Sequence, residues 1–203
     1  ERQARYIARH LRNAGHRVTM VVAESKGIFQ KKVKVETVSL GTPFNKIHAP
    51  RIVYRLARTI QSRDFDLILS RAWNMNMITA IAGLMTRTPY VLFLSGATDR
   101  EGQSRLKLSI EGILLRRAAR IISVSKAAKG NCIKAYGLAP SHIQVVHNGI
   151  QVNEVQRLSE LASDDADQIS AEDFNIVFVG RLNHRKGLDI LFRAVQQVDR
   201  NIK

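Results

Sequence analysis

The sequence predicts an α/β fold, a doubly wound parallel sheet followed by the start of a second domain. Three observations carry this. Short β-branched or aromatic runs alternate with segments of helical periodicity through the first 150 residues. The connections between them are short, and right-handed crossovers of that kind build a parallel sheet covered by helices on both faces. The alternation then breaks in a polar, acidic tract over residues 151–173 and resumes once, as a single strand and helix. At 203 residues the chain is long enough for one large or two small domains.

Taken in order, Tyr6, Ile7, Leu11 and Ala14 mark one face of a helix that Gly15-His16 stops. Arg17–Ala23 and Val33–Leu40 read as strands. Ile47–Ser62 reads as a basic amphipathic helix through Ile52, Val53, Leu56 and Ile60. Asp66–Ser70 is a short strand, Trp73–Met85 a helix apolar on most sides, and Pro89–Ser95 a strand whose proline is tolerable only at its start. A helix over Gln103–Ala118 precedes the strand Arg120–Val124. Ser125 has the character of an N-cap for a helix Lys126–Tyr136 ending at Gly137. The strand Ile143–Val146 stops at His147-Asn148-Gly149, where Asn-Gly marks a turn. Residues 151–173 show no sustained apolar face and read as a linker. One strand plus one helix cannot form a core alone, so 174–203 is expected to be the opening of a second domain.

Net charge is +15 and unevenly spread. Residues 1–150 hold 25 Lys and Arg against 8 Asp and Glu, net +17; residues 151–173 are net −6, and 174–203 net +4. A body this basic attracts polyanions: anionic lipid, nucleic acid or an anionic glycan. Basic residues are not interleaved with aromatics, which make up 6% of the chain, so a single-strand nucleic-acid platform is disfavoured. The single Cys132 excludes an intrachain disulfide and a cysteine-rich metal site, and a reducing cytoplasm is the simplest compartment. The six histidines show no metal-ligand spacing. No apolar run approaches the roughly 18 to 20 residues of a membrane span. Arg51–Arg63 and Arg105–Arg120 carry enough cations for docking on an anionic membrane, or are two helices with solvated cationic faces.

One segment points to chemistry. In Asn175–Leu191 an apolar run, Ile176–Val179, stops at Gly180, which permits a sharp turn. Arg181 and Lys186 flank a short loop, and Leu188, Leu191, Phe192 and Val195 then recur at helical spacing. A loop of that kind, ending at a helix N-terminus, offers free N–H groups and a favourable dipole to a phosphate. The plain alternative is a strand-turn-helix unit with solvated cations.

The pattern of strand, Gly180-Arg181-Leu182, Lys186-Gly187-Leu188-Asp189 and Leu191 resembles the entry to the C-terminal domain of family 4 glycosyltransferases of the GT-B fold. Ser123-Val-Ser-Lys-Ala-Ala128, followed by Val145-Val-His-Asn-Gly-Ile150, is similar to the end of that family's N-terminal domain, and Gly15-His16 to the end of its first helix. The resemblance implies an N-terminal, acceptor-side Rossmann-like domain over 1–150 lacking its first strand and glycine-rich turn, the linker 151–173, and the first unit of a nucleotide-sugar-binding domain over 174–203. It implies a retaining, hexosyltransferase-type enzyme that moves a sugar from a nucleoside-diphosphate donor to a hydroxyl, with no cofactor and no metal required. Arg181 and Lys186 would act as catalytic charge stabilisers, with Gly180 and Gly187 completing the donor-diphosphate site. A C-terminal glutamate motif of the family would lie beyond Lys203, so the fragment itself is not expected to be active.

On the acceptor side, ligands of such sheets sit beyond the carboxyl ends of the strands. That selects Ser70-Arg71, Ser95-Gly96, Ser123–Ser125 and His147–Gly149. The family often has a histidine after the strand ending near Leu94; here Ser95, Gly96 and Asp99 follow, and Ser95 or Asp99 is a candidate substitute. Asn148 and Gly149 complete the acceptor-side set. The expected partners are a nucleotide-sugar donor, a glycan or lipid-linked acceptor and an anionic membrane surface, in envelope polysaccharide or glycolipid synthesis on the inner face of the membrane, with nucleic acid unlikely. Two alternatives stay open, a basic nucleic-acid-binding Rossmann-like protein and a catalytically silent GT-B scaffold.

Overall fold

A computed structural model describes residues 2–24, 35–45, 47–94, 104–161, 175–180, 182 and 184–198. The elements run α1 (Arg2–Asn13), β1 (Thr19–Val22), β2 (Glu36–Ser39), α2 (Ala49–Arg63), β3 (Ile68–Arg71), α3 (Trp73–Thr86), β4 (Tyr90–Leu94), α4 (Arg105–Arg116), β5 (Arg120–Ser123), α5 (Lys126–Tyr136), β6 (Ile143–Val145), α6 (Val152–Ser159) and α7 (Leu188–Val195). Two compact units divide after Gly149.

All strand pairing in the first unit is parallel, as the alternation predicts. It forms two sheets: β1 pairs with β2, and β3 to β6 lie side by side in chain order. Because β3 to β6 are laid down in one direction, right-handed crossovers put α3, α4 and α5 on the same face. α2 packs against α3, α3 against α4 and α4 against α5, so the four helices make one layer.

Two apolar clusters hold that layer down. Leu92 of β4, Ile121 of β5 and Ile143 of β6 meet Leu115 of α4 and Cys132 and Tyr136 of α5, all nearly inaccessible. The second cluster joins Ile52, Leu56 and Ile60 of α2 to Ile78 and Ala82 of α3 and to Leu40. Burial of this much aliphatic surface is the main force forming the unit. Local chemistry sets the ends. Pro50 opens α2, Ser104 caps α4 by accepting from the Lys107 amide at 3.3 Å, and Ser125 caps α5 from Ala128 at 3.1 Å. Gly137 closes α5 at φ 58°, a left-handed value that suits glycine. Arg55 donates to the Leu40 carbonyl and to Thr42 Oγ1 at 3.1 Å, tying the exit of β2 to α2.

A polar pin crosses the first cluster. Glu111, 5% exposed, accepts from Trp73 Nε1 at 3.1 Å and from the Tyr136 hydroxyl at 2.7 Å, while the two rings stack 5.7 Å apart. One carboxylate thereby links α3, α4 and α5.

Three expectations need correction. Ile176–Val179 does not form a strand: residues 175–179 are irregular, with Val177 and Val179 70% and 91% exposed. Among the described residues of the second unit there is no strand to pair with them, and an unpaired strand has no ladder to hold it. The start of the linker is helical, because Val152, Val155 and Leu158 recur at three-residue spacing and give α6 the apolar stripe that the acidic composition obscures. No turn forms at His147-Asn148-Gly149, for the reason given below.

Candidate functional site

The described members of the strand-end set lie at the carboxyl ends of the strands, where the topology puts them. Arg71 ends β3, and its guanidinium donates to Asn148 Oδ1 at 3.0 Å. His147 Nδ1 lies 3.0 Å from the Val124 carbonyl beyond β5; a carbonyl only accepts, so this nitrogen carries the proton. Val146 N donates to Ser123 O, and Val124 N to Leu94 O, which keeps the three exits side by side. Gln3 of α1 donates to the Gly149 carbonyl at 2.7 Å. Between them, Arg71, Val124 and Gln3 hold 147–149 in an open path instead of letting Asn-Gly close a turn. Gly149 has no left-handed φ, and a Cβ there would meet nothing within 4 Å. The backbone at that point is open to solvent.

Ser123 is fully buried and donates to Ser125 O at 3.0 Å, so its role is to shape the β5 exit. Ala72 joins β3 to α3 at φ 84°, an uncommon value for a residue with a Cβ, and no side chain caps α3. Ser95, Gly96 and Asp99 lie outside the described residues.

Sequence reasoning missed Asn76, Glu111 and Gln3. Asn76 is fully buried and donates to the Phe93 carbonyl at 3.0 Å, bracing the last residues of β4 from α3. Its signal was visible: an asparagine inside an apolar helix needs a partner. Glu111 carried the same signal among Ile110, Leu114 and Leu115. Gln3 carried none.

In the second unit, Gly180 follows the irregular segment. A Cβ there would come within 3.0 Å of the Phe178 ring, so glycine lets that ring lie over the chain. His184–Lys186 forms one turn of 3₁₀ helix, and Gly187, at φ 64°, reverses the chain into α7. The Gly187 carbonyl accepts from Leu191 N at 3.0 Å, while no side chain caps the first turn. The amides of Leu188, Asp189 and Ile190 therefore have no helical partner, as at any helix start. Lys186 is exposed two residues before the first of them. His184 Nε2 stands 3.9 Å from Asp189 Oδ2 in that turn. The arrangement suits an oxyanion of a ligand: unpaired N–H groups, the positive end of a dipole and an exposed ammonium. Arg181 lies outside the described residues.

Among the described residues, no three His, Cys, Asp or Glu side chains converge as a metal site. Nor is any helix there long and apolar enough to cross a membrane.

Comparison with known proteins gives the family. The model of Glycosyltransferase Family 4 matches residues 1–154, well over half of the chain. D-inositol 3-phosphate glycosyltransferase 1 of Catenulispora acidiphila is 25% identical over 150 residues, covering 66% of this chain and 34% of that protein. Among solved structures, Anabaena Alr3699/HepE in complex with UDP and glucose superposes with a TM-score of 0.73 at 23% identity, over 99% of this chain and 55% of that one. A glycosyltransferase from Rickettsia africae gives 0.75 at 15% identity, over 98% and 53%. The chain thus spans about a third of the length of its curated relative and about half that of the structures. At these identities the superpositions establish a shared GT-B fold, and with the match over 1–154 this chain belongs to Glycosyltransferase Family 4.

Proposed function

We propose that the protein transfers a sugar from a nucleoside-diphosphate donor to a hydroxyl acceptor, with retention at the anomeric carbon. The observation that carries this reading is the exposed Lys186 beside the left-handed Gly187 and the uncapped start of α7. Family membership supports it, and so does the crystal structure of the HepE protein in complex with UDP-glucose. Departure of the nucleoside diphosphate builds negative charge on its β-phosphate. Lys186, the α7 amides and Arg181 stabilise that charge, the role a divalent cation fills in metal-dependent transferases. The hydroxyl acceptor enters from the first unit, past Arg71 and Asn148. A glycan or lipid-linked acceptor of envelope polysaccharide or glycolipid synthesis, used on the cytoplasmic face of the membrane, fits the basic surface.

The test is sugar transfer by the complete protein, followed as UDP release from UDP-glucose. Lys186→Ala and Arg181→Ala are expected to lower turnover by about two orders of magnitude, as loss of a transition-state charge contact does, with the circular-dichroism melt unchanged. Full activity in both variants would sink the diphosphate-clamp reading. The anomeric configuration of the product, read by proton NMR, tests retention separately.

A further inference from the structure

The outer faces of α3 and α4 are not what surface helices present. Ile81, Leu84 and Met85 of α3 are 39%, 41% and 57% exposed, and Leu106, Ile110 and Ile113 of α4 are 72%, 51% and 54% exposed. On each helix these residues are three or four apart and share one side. A surface helix normally places charge there and keeps its aliphatic stripe inward. α3 has no charged residue at all, and α4 stands its exposed aliphatics opposite the buried Glu111 and Leu115. The two helices pack side by side, so the two stripes are neighbours. Single exposed aliphatics need no explanation, whereas two adjoining stripes mark a surface that meets something apolar.

The charge around the stripes tells what that is. Arg51 and Arg58 of α2, Arg105 and Lys107 at the start of α4, and Arg117 just after its end are all exposed. The sole acidic side chain of α2, α3 and α4 is Glu111, which is turned inward to Trp73 and Tyr136. Three adjacent helices therefore present an aliphatic centre and a cationic rim without one exposed carboxylate. A second copy of the chain is a poor fit, since apposing the faces would bring two cationic rims together.

We propose that the outer face of α3 and α4 docks on a bilayer containing anionic lipid. The aliphatic side chains enter the boundary between headgroups and acyl chains, and the arginines lie at phosphate level. Docking through the helix layer leaves the carboxyl ends of the strands uncovered at the side, where Arg71 and Asn148 sit. The inference goes beyond the donor reading and does not depend on it.

The test uses vesicle sedimentation without nucleotide. The protein is expected to co-sediment with phosphatidylcholine vesicles carrying about 30% phosphatidylglycerol at about 0.1 M salt, and to do so much less with phosphatidylcholine alone. Replacing Leu106, Ile110 and Ile113 together by serine should weaken partitioning at least about tenfold, with an unchanged melt because these side chains are already in water. Arg51→Glu with Arg58→Glu should weaken it by a similar factor, whereas Ile150→Ser, an exposed aliphatic of the second unit, should not. Equal binding to neutral vesicles, or full binding by the triple serine variant, would overturn the proposal. So would a dimer in solution that the triple variant converts to monomer, which would make the face an interface between copies.

Discussion

The two units differ in what their aliphatic residues do. In the first, Leu92, Leu115, Ile121 and Ile143 are sealed between sheet and helices, and the Glu111 carboxylate buried beside them accepts from Trp73 and Tyr136. In the second, none of the described residues is buried: Val179 is 91% exposed, Ile190 66% and Phe192 61%. The first unit gains most of its stability from its own packing, while the described residues of the second are organised by local chemistry: a 3₁₀ turn, a left-handed glycine and two eight-residue helices. Short helices without tertiary packing are marginal. Rigid packing in the first unit fixes where Arg71 and Asn148 meet. The features of the second unit that we propose receive a phosphate are carried by backbone geometry that needs few residues.

The contrast is sharpest in deletion of one side chain from each unit. Glu111→Ala removes the common acceptor of Trp73 and Tyr136 and leaves the buried Tyr136 hydroxyl and the half-buried Trp73 Nε1 beside a void, at a cost of about 2–4 kcal/mol. Val179→Ser should stay within about 0.5 kcal/mol. Chemical denaturation of both variants checks this, and equal costs would erase the distinction between the units. Next in size is Gly83→Ala. Its methyl would lie 2.7 Å from Tyr90 Cδ1 and 3.1 Å from the Thr88 carbonyl, so the first unit should lose about 1–3 kcal/mol in the same measurement despite alanine's better helix propensity.

The smallest effect is a pH dependence confined to the first unit. Tyr90 is 2% exposed and donates to the Leu114 carbonyl at 2.8 Å, and burial pushes its hydroxyl up from 10.0 to about 12. The unfolded chain therefore loses this proton first. Stability is unaffected below about pH 10 and falls by roughly 1–2 kcal/mol as pH rises toward 12. Tyr90→Phe should remove that slope from an alkaline melting series.

The legibility of the chain follows the same division. Alternating hydrophobicity located each strand and helix of the described first unit, and Ser125 and Gly137 marked the ends of α5, because packing and capping there follow from residue type alone. The pairing of Arg71 with Asn148 was not legible, since nothing in spacing states which loop ends touch; the topology rule gave only the edge on which both lie. Asn148-Gly149 misled because its turn preference is local, and hydrogen bonds from Arg71 and Gln3 outweigh it. Ile176–Val179 misled for the opposite reason. Its β-branched composition describes a strand inside a sheet, and among the described residues of its unit no sheet is present.

The central claim is that Lys186, Gly187 and the start of α7 receive the donor's diphosphate. Amide chemical shifts recorded while UDP is titrated into isotope-labelled protein test it most directly. The account predicts that the largest shifts fall on residues 180–190, and that Lys186→Ala weakens the titration at least about tenfold, as loss of a charge-assisted phosphate contact does. Shifts confined to the neighbourhood of Arg71 and Asn148, with Lys186→Ala titrating like the unaltered protein, would contradict it.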